Sequence, residues 1–250
     1  AFGAAMKKNL KSAGVNAEHV TKADCSSGLA MILVHEGNNR IVLDGGANSR
    51  LSEQDVDRGL SAAKAGDVLM LQLEVPLNIV AHALETGKRK GMITMLNPAP
   101  AVELTNGIYE NAEIITPNET ETEILTGIKP DCEVNIALAV KKFRSFGARN
   151  IIITLGEAGS AVAVGNEITL LPAIKVKAVD TTAAGDTFVG ATALKMHGGE
   201  DIVSAARFAT AASALKVTRR GAAAAIVSRI AAPALRRSLT LEKQPFRPVP

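Results

Sequence analysis

Short apolar runs alternate along this chain with segments whose apolar residues recur at helical spacing. The clearest run covers residues 150–155 and contains three consecutive isoleucines, and the segment before it, 134–146, has helical spacing. Short runs flanked by turn residues are typical of buried strands, whereas helical spacing indicates amphipathic helices. Strands that alternate with helices assemble into a parallel sheet with helices packed on its faces. The sequence therefore predicts an α/β fold.

The same patterns predict the bounds of the other elements. An opening helix carries Phe2, Met6 and Leu10 on one face and ends at Gly14. Ser52 is placed to cap a helix that runs through residue 64, since two acids stand in its first turn. A hairpin pairs 29–35 with 40–43, further strands are predicted at 67–73, 92–96, 112–116, 160–164 and 167–171, and further helices at 77–88, from 119, at 185–196 and at 201–216.

Composition limits the class of protein to which the chain can belong. Its 250 residues are 47% hydrophobic and 21% charged, which suits one globular domain over residues 1–250 with an irregular tail at 231–250. The formal net charge of +3 is too small for a nucleic-acid surface. No apolar stretch approaches the ~18 residues that span a bilayer. Two distant cysteines and four isolated histidines argue against a disulfide scaffold or a zinc site and favour the cytoplasm.

Polar residues follow four of the predicted strands directly. Glu74, Asn97, Asn118 and Thr154 stand at or just beyond the ends of these strands. An open parallel sheet binds ligands in the crevice beyond the carboxyl ends of its strands, where loops and helix N-termini converge. We therefore expect a ligand site at this edge of the sheet.

The segment 180–188, DTTAAGDTF, places small residues before an acid at the start of an alanine-rich helix. Ala184 and Gly185 leave room for a ligand to approach first-turn N–H groups, which lack partners within the helix and form an anion hole. Beside that hole, Asp186 can accept the proton of an attacking hydroxyl while the amides neutralise charge on a transferred phosphoryl group. The alternative is an ordinary first-turn acid that favours the helix dipole.

Two further segments allow both a structural and a functional interpretation. Residues 154–159, TLGEAG, carry two glycines that suit either a tight turn with positive φ or close approach of a nucleotide. Residues 118–121, NETE, predict a helix cap, which local considerations favour, although Glu121 can also orient water bound to Mg²⁺. The chain has no P-loop, no dinucleotide fingerprint and no protein-kinase motif, which argues against a dehydrogenase.

Five motifs in order resemble the ribokinase family of carbohydrate kinases, which also includes fructokinases and adenosine kinases. They are LNPAPA at 96–101, TPNETE at 116–121 with LTG at 125–127, TLGEAG at 154–159, VDTTAAGDTF at 179–188 and VTRRGA at 217–222. The resemblance extends from Ala1 to about Ala225. It implies a three-layer α/β/α ribokinase-like fold with a mostly parallel central sheet. It also implies a small β lid at residues 28–46, through whose strands relatives often form homodimers.

The resemblance also implies roles for individual residues. Asp186 is the expected catalytic base on the sugar hydroxyl, Ala184 and Gly185 form the anion hole, and Glu74 contacts the sugar together with Asp186. Glu121 is expected to hold Mg²⁺ through water. The residues implied in ATP binding are Asn118, Thr154, Leu155, Gly156, Glu157, Ala158, Gly159, Gly185 and Thr210.

Members of this family are also activated by a monovalent cation, usually potassium, that is bound mostly by backbone carbonyls. The chain departs from the family at Ala225, where a hydroxyl residue is usual, and at Val189, where asparagine is usual. The family's opening sugar-binding strand and its glycine-rich sugar-gripping stretch are not found, so the resemblance predicts an N-terminally incomplete kinase. The positions that match the potassium ligands are Asp180, Thr182, Lys216, Arg219, Gly221 and Ala225.

For the activity, the resemblance implies ATP-dependent phosphorylation of D-ribose at its 5-hydroxyl, giving D-ribose 5-phosphate. The motifs around Asn97 and Asn118 favour ribose. Two alternatives stay open because the segment that selects the sugar is mostly missing. The first alternative is another sugar or nucleoside kinase of the same superfamily. The second is a catalytically silent remnant that binds nucleotide but no sugar.

Overall fold

The computed structural model describes residues 2–35, 38–221 and 244–245. The helices are α1 (Phe2–Ser12), α2 (Glu53–Gly59), α3 (Leu77–Arg89), α4 (Asn106–Asn111), α5 (Glu119–Thr126), α6 (Glu133–Ser145), α7 (Ala184–His197) and α8 (Ile202–Val217). The strands are β1 (Leu29–His35), β2 (Asn38–Asp44), β3 (Val68–Leu71), β4 (Ile93–Leu96), β5 (Ile114–Ile115), β6 (Asn150–Thr154), β7 (Ser160–Val164), β8 (Glu167–Leu171) and β9 (Gln244–Pro245).

Seven strands of the described residues form the central sheet, in the order β3-β4-β5-β6-β7-β8-β9. Strands β3 to β6 pair in parallel, and β7 pairs antiparallel with both β6 and β8. Five strands, β3 to β6 and β8, therefore run in one direction, which confirms the mostly parallel sheet. Strands β1 and β2 form a separate antiparallel pair, which confirms the hairpin expected as a small lid.

The sheet is covered by helices on both faces. Ile151 and Ile153 belong to a buried cluster that includes residues of α3, α4 and α6, whereas Ile152 packs with residues of α7 and α8. Successive side chains of a strand point to opposite faces, so a run of fully buried isoleucines requires helices on both sides. This packing confirms the three-layer α/β/α architecture.

Two helices differ from the prediction. Helix α2 begins at the predicted cap, where Ser52 and Asp55 form a capping box, but it ends at Gly59 and not at Lys64. Glycine is a poor helix former, and the chain continues from Gly59 in turns. Helix α4 was not predicted because six residues are too few to show a helical period.

The tail was expected to be irregular, and this expectation is wrong for the two tail residues that the structure describes. Gln244 and Pro245 form the short strand β9, which pairs antiparallel with β8. The outer edge of β8 offers unpaired N–H and C=O groups, and proline is tolerated on an edge strand. The rest of the tail, Ala225 and the hairpin turn at 36–37 lie outside the described residues. None of the described helices is long and apolar enough to cross a bilayer.

Candidate active site

A cavity of about 200 Å³ opens where strands β4, β5 and β6 end and helix α7 begins. Asn97, Thr116 and Thr154 line it from the strand ends. Gly185 and Asp186 line it from the first turn of α7. The structure thus brings together the strand-end residues and the DTTAAGD segment, as the topology of a parallel sheet leads one to expect.

The first turn of α7 presents two backbone amides that are free to bind an anion. The N–H groups of Gly185 and Asp186 find no acceptor among the described residues. Ala184, expected to belong to the anion hole, also lines the cavity, but its N–H already donates to the carbonyl of Thr181 at 3.1 Å. The cause is Ala183, which has φ 58° and ψ 21° and folds the chain into a turn just before the helix.

Space in front of these amides is provided by glycine. A Cβ atom built on Gly185 would meet no heavy atom within 4 Å outside its own helix backbone and chain neighbours. Asp186 is exposed and lines the same cavity. A carboxylate and two unpaired amides beside one open space can accept a proton from a hydroxyl and neutralise negative charge on a nearby phosphoryl group.

Hydrogen bonds from both helices hold this turn in place. Within α7, the Thr187 hydroxyl donates to the carbonyl of Ala183 at 2.8 Å. From α8, the Ser213 hydroxyl donates to the carbonyl of Ala184 at 2.8 Å. These bonds fix the backbone orientation of the turn, so that the free amides are oriented before any ligand arrives.

At the start of α5, Asn118 and Glu121 form a capping box. Glu121 accepts hydrogen bonds from the backbone and the side-chain amide of Asn118, both at 2.8 Å. Burial raises the pKa of the Glu121 carboxyl, and the bonds from Asn118 and Asn97 oppose this rise. The cap interpretation is confirmed, and the same two residues also line the cavity.

These oxygen atoms fit Mg²⁺ only through water or a bound phosphate. No group of three or more His, Cys, Asp or Glu residues among those described could hold a metal ion. Mg²⁺ commonly keeps several waters and is bound by one or two carboxylates together with substrate phosphates. Glu121, a nearly buried carboxylate on the cavity wall, suits that mode of binding.

In the turn at residues 154–159, some residues fit the interpretation as a tight turn with positive φ, and others fit the interpretation as a place where a nucleotide approaches. Thr154 lines the cavity. Gly159 has φ 106°, and a Cβ atom there would lie 2.0 Å from the carbonyl oxygen of Leu171, so the fold alone requires glycine. Gly156 has φ 51° and borders open space, since a Cβ atom there would come no closer than 3.5 Å to Glu119. The other residues expected to bind ATP here, Leu155, Glu157 and Ala158, do not line the cavity.

Thr210 and Glu74 are not brought to the cavity. The hydroxyl of Thr210 donates to the carbonyl of Ala206 within α8, where a buried threonine can satisfy its own polar group. Glu74 is exposed and follows β3, the edge strand of the sheet. The structure therefore does not place either residue where the resemblance implied a ligand contact.

The cavity also includes Asn97, which was expected from its place after a strand, together with Thr116 and Val189, which were not expected to line it. Asn97 donates from its side-chain amide to the carbonyl of Thr116 at 2.8 Å, which joins the ends of two neighbouring strands. The strand-end rule had named Asn97, whereas Thr116 was missed because it was counted as the last residue of the strand predicted at 112–116, which ends at Ile115. Val189 lies three residues after Asp186 and therefore on the same face of α7.

Two of the described residues that match the potassium ligands, Asp180 and Lys216, are already engaged by the chain itself. Asp180 accepts N–H bonds from Thr182 and from Gly221, at 2.9 and 2.8 Å, through its two carboxylate oxygens. Hydrogen bonds from Thr182 and Gly221, assisted by the charge of Lys216, hold the pKa of the Asp180 carboxyl well below its usual range. The Asp180 carbonyl accepts from the Lys216 ammonium, and the Lys216 carbonyl accepts from the N–H of Arg219. The oxygens of Asp180 and the carbonyl of Lys216 thus already accept from the chain's own donors, and the Lys216 ammonium adds a positive charge beside them, so these described residues fit a metal cation poorly.

Comparison with known proteins identifies the family. The family model described as pfkB family carbohydrate kinase matches residues 1–229. The chain is 39% identical over 222 residues to a ribokinase of Staphylococcus aureus (strain COL), which covers 88% of this chain and 73% of that protein. It is 40% identical over 217 residues to a deoxyribokinase of Salmonella typhi, which covers 86% of this chain and 71% of that protein.

A solved structure agrees with this assignment. The structure of Arabidopsis thaliana ribokinase complexed with ribose and ATP matches with a TM-score of 0.77 and 29% identity, over 88% of this chain and 71% of that one. Sequence similarity over most of the chain and a common fold therefore relate it to curated and solved sugar kinases. The chain belongs to the pfkB family of carbohydrate kinases and is a sugar kinase.

Proposed function

We propose that this chain transfers the γ-phosphoryl group of ATP to the 5-hydroxyl of D-ribose and so produces D-ribose 5-phosphate. The observation that carries the proposal is the cavity shared by the Asp186 carboxylate and the free amides of Gly185 and Asp186. Ribose and ATP are the two compounds named with the Arabidopsis structure, and the similarity to that protein supports the choice of this substrate pair.

In the proposed reaction, Asp186 accepts the proton of the sugar hydroxyl as the hydroxyl oxygen attacks the γ-phosphorus, the bond from this phosphorus to the bridging oxygen breaks, and ADP leaves. The amides of Gly185 and Asp186 neutralise the negative charge on the transferred group, which is the main demand that phosphoryl transfer makes on an enzyme. Magnesium, when bound with ATP, supplies further neutralisation of phosphate charge. Glu121 and Asn118, which line the same cavity, are the residues that would hold its water molecules.

The second candidate acceptor is 2-deoxyribose, because the chain is about as similar to the Salmonella deoxyribokinase as to the Staphylococcus ribokinase. The two sugars carry the same 5-hydroxyl and differ at C2. The phosphoryl-transfer chemistry described above is identical for both, so only the sugar contacts separate them.

A coupled assay decides the acceptor. The ratio kcat/KM is measured with MgATP and, in turn, ribose, 2-deoxyribose, fructose and adenosine. We expect the highest value with ribose. A higher value with another acceptor would reassign the substrate. Calorimetric binding of ATP without ribose binding or turnover would instead identify a silent nucleotide-binding protein.

The role of Asp186 is tested with Asp186→Asn. We expect kcat to fall by about 10²–10⁴ while ATP affinity is nearly unchanged, because the substitution removes a base and leaves the binding surface intact. The matched control is Asp201→Asn at the start of α8. Asp201 accepts from the N–H of Ser204 as a helix cap, a role that asparagine also fills, so activity should be retained. Equal activity of Asp186→Asn and the wild type would refute the assignment.

A further inference from the structure

Lys216 carries the most deeply buried charge on the described part of the chain. Its side chain has 0% of its surface exposed, and its ammonium nitrogen donates to the carbonyl of Asp180 at 2.9 Å. The same nitrogen lies 4.0 Å from Oδ1 of Asp180. Lysine is almost never fully buried unless its charge is paired, because removing an ammonium from water is costly. The burial of Lys216 therefore depends on this loop.

The lysine belongs to a row of contacts between the end of α8 and the segment that leads into α7. Ser213, Lys216 and Val217 stand at positions i, i+3 and i+4 and so share one face of α8. Ser213 donates to the carbonyl of Ala184, and Lys216 to the carbonyl of Asp180. The carbonyl of Val217 accepts from the N–H of Asp180 at 3.1 Å and from the preceding residue at 2.7 Å. This face of α8 thus supports the whole loop 180–184.

The Lys216 ammonium already supplies a positive charge at the loop, so a second cation is not needed there. The carbonyl of Asp180 already accepts from Lys216, and both carboxylate oxygens accept backbone N–H groups. The N–H of Gly221 donates to one of these carboxylate oxygens, so part of the negative charge of Asp180 is already neutralised by the chain. A metal ion here would face a like charge from the lysine, which disfavours binding.

We propose that the Lys216 ammonium is the built-in cation of the loop 180–184, so that this kinase neither binds nor requires a monovalent metal ion there. The proposal rests on the proposed function in one respect, namely that the loop orients the phosphate-binding amides of α7. Lys216 is accordingly a positioning residue and not a catalytic one, since it acts on the cavity through the carbonyl of Asp180.

The first test needs no turnover. The melting temperature of the wild-type protein is measured at constant ionic strength in potassium, ammonium or tetramethylammonium chloride, the last cation being too large for the site. We expect no difference between these salts. Specific stabilisation of the wild type by potassium would overturn the proposal, whether or not any variant folds.

The second test removes the ammonium. Lys216→Ala leaves both the oxygen atoms and a space, so potassium or ammonium ions should restore melting temperature that is lost in tetramethylammonium. Lys216→Met fills the space without charge and should show no such recovery. The matched control, Lys88→Ala, removes another lysine that donates to a backbone carbonyl, that of Glu110, away from the site. It should show no cation-specific response, and a response equal to that of Lys216→Ala would contradict the proposal.

The third test measures kcat in different salts. We expect the wild type to have the same kcat in potassium and tetramethylammonium, and Lys216→Ala to gain about tenfold in kcat when potassium is added, a typical size for coupling between two sites. Potassium activation of the wild type would overturn the proposal. Absence of turnover in every salt would refute the proposed function alone, because the melting data would still decide the assignment of Lys216.

Discussion

The backbone N–H of Gly221 donates to Oδ2 of Asp180 at 2.8 Å, across 41 residues of sequence. Oδ1 of the same carboxylate accepts from the N–H of Thr182 at 2.9 Å. One side chain therefore joins the loop that precedes α7 to the loop that follows α8. Because the first of these loops leads to the free amides, the charge of Asp180 bears on the geometry of the active site.

Asp180→Asn should destabilise the protein at neutral pH. Asparagine has one acceptor oxygen, so one of the two N–H groups would face an NH₂ group and lose its partner. The pKa of Asp180 is lowered in the folded state, so its stabilisation is present above the ordinary value of 3.8 and is lost as the pH falls through the lowered pKa. In urea unfolding, the difference in the free energy of unfolding between variant and wild type should become smaller below about pH 3.8.

The control for this prediction is Asp67→Asn. Asp67 accepts a single backbone N–H, from Lys64, and asparagine retains one acceptor for it. Its effect at pH 7 should be smaller than that of Asp180→Asn. If the difference in the free energy of unfolding between Asp180→Asn and the wild type stayed constant from pH 7 to pH 3, the carboxylate charge would not be what holds the two loops together.

Gly185→Ala should separate folding from function. The added Cβ atom has open space around it, and alanine favours a helix over glycine, so stability should stay equal or rise by up to about 1 kcal/mol. Gly185 lines the cavity and carries one of the free amides, so we expect a methyl group there to crowd a bound phosphate and to lower kcat/KM for MgATP. Gly190→Ala, also in α7 and also with open space, should stabilise without this loss. Equal activities of the two variants would argue against an anion site at Gly185.

Glu121→Gln should change how stability depends on pH. Burial raises the pKa of Glu121 in the folded state, so above the ordinary value of 4.5 the folded state holds a proton that the unfolded state has released. Its contribution to stability therefore falls as the pH rises through this window. Glutamine does not titrate, so the variant should gain stability relative to the wild type between pH 4.5 and pH 7 in urea unfolding. A pH-independent difference between the two proteins would contradict the raised pKa.

Tyr109 should resist ionisation until strongly alkaline pH. Its ring packs against Phe143 and Phe146, with centroid distances of 6.2 and 5.3 Å, and burial raises its pKa to about 12. Because the chain has one tyrosine and no tryptophan, tyrosinate absorbance reports on this residue alone. The titration midpoint should lie near 12 in the native protein and near 10 in denaturant, which lowers stability as the pH rises between them. A native midpoint near 10 would show that the phenol reaches solvent.

Much of the architecture and the position of the site could be predicted from local patterns. The spacing of apolar residues distinguishes strands from helices, and capping boxes at Ser52 and Asn118 mark the starts of two helices. Both signals can be read from the sequence because they involve residues only a few positions apart. The strand-end rule predicted that Asn118 and Thr154 lie at the edge of the sheet where Asp186 lies, because parallel strands end together. All three residues line the same cavity in the structure. Helix α4 and the early end of α2 were missed because short helices carry little periodic signal.

Hydrogen-bond partners that come from distant parts of the chain were decided only by the tertiary structure. The turn at Ala183 occupies the N–H of Ala184 and leaves those of Gly185 and Asp186 free, a choice that the letters AAGD do not reveal. The packing of α8 against the start of α7 sets the Lys216 ammonium on the carbonyl of Asp180, although the residues are 36 positions apart. Sequence alone placed Asn97, Asn118, Thr154 and Asp186 at this edge of the sheet, although it also assigned Glu74 and Thr210, which do not line the cavity. Which of them are already paired depends on how the two helices pack, because a buried donor takes whichever acceptor the fold brings within reach.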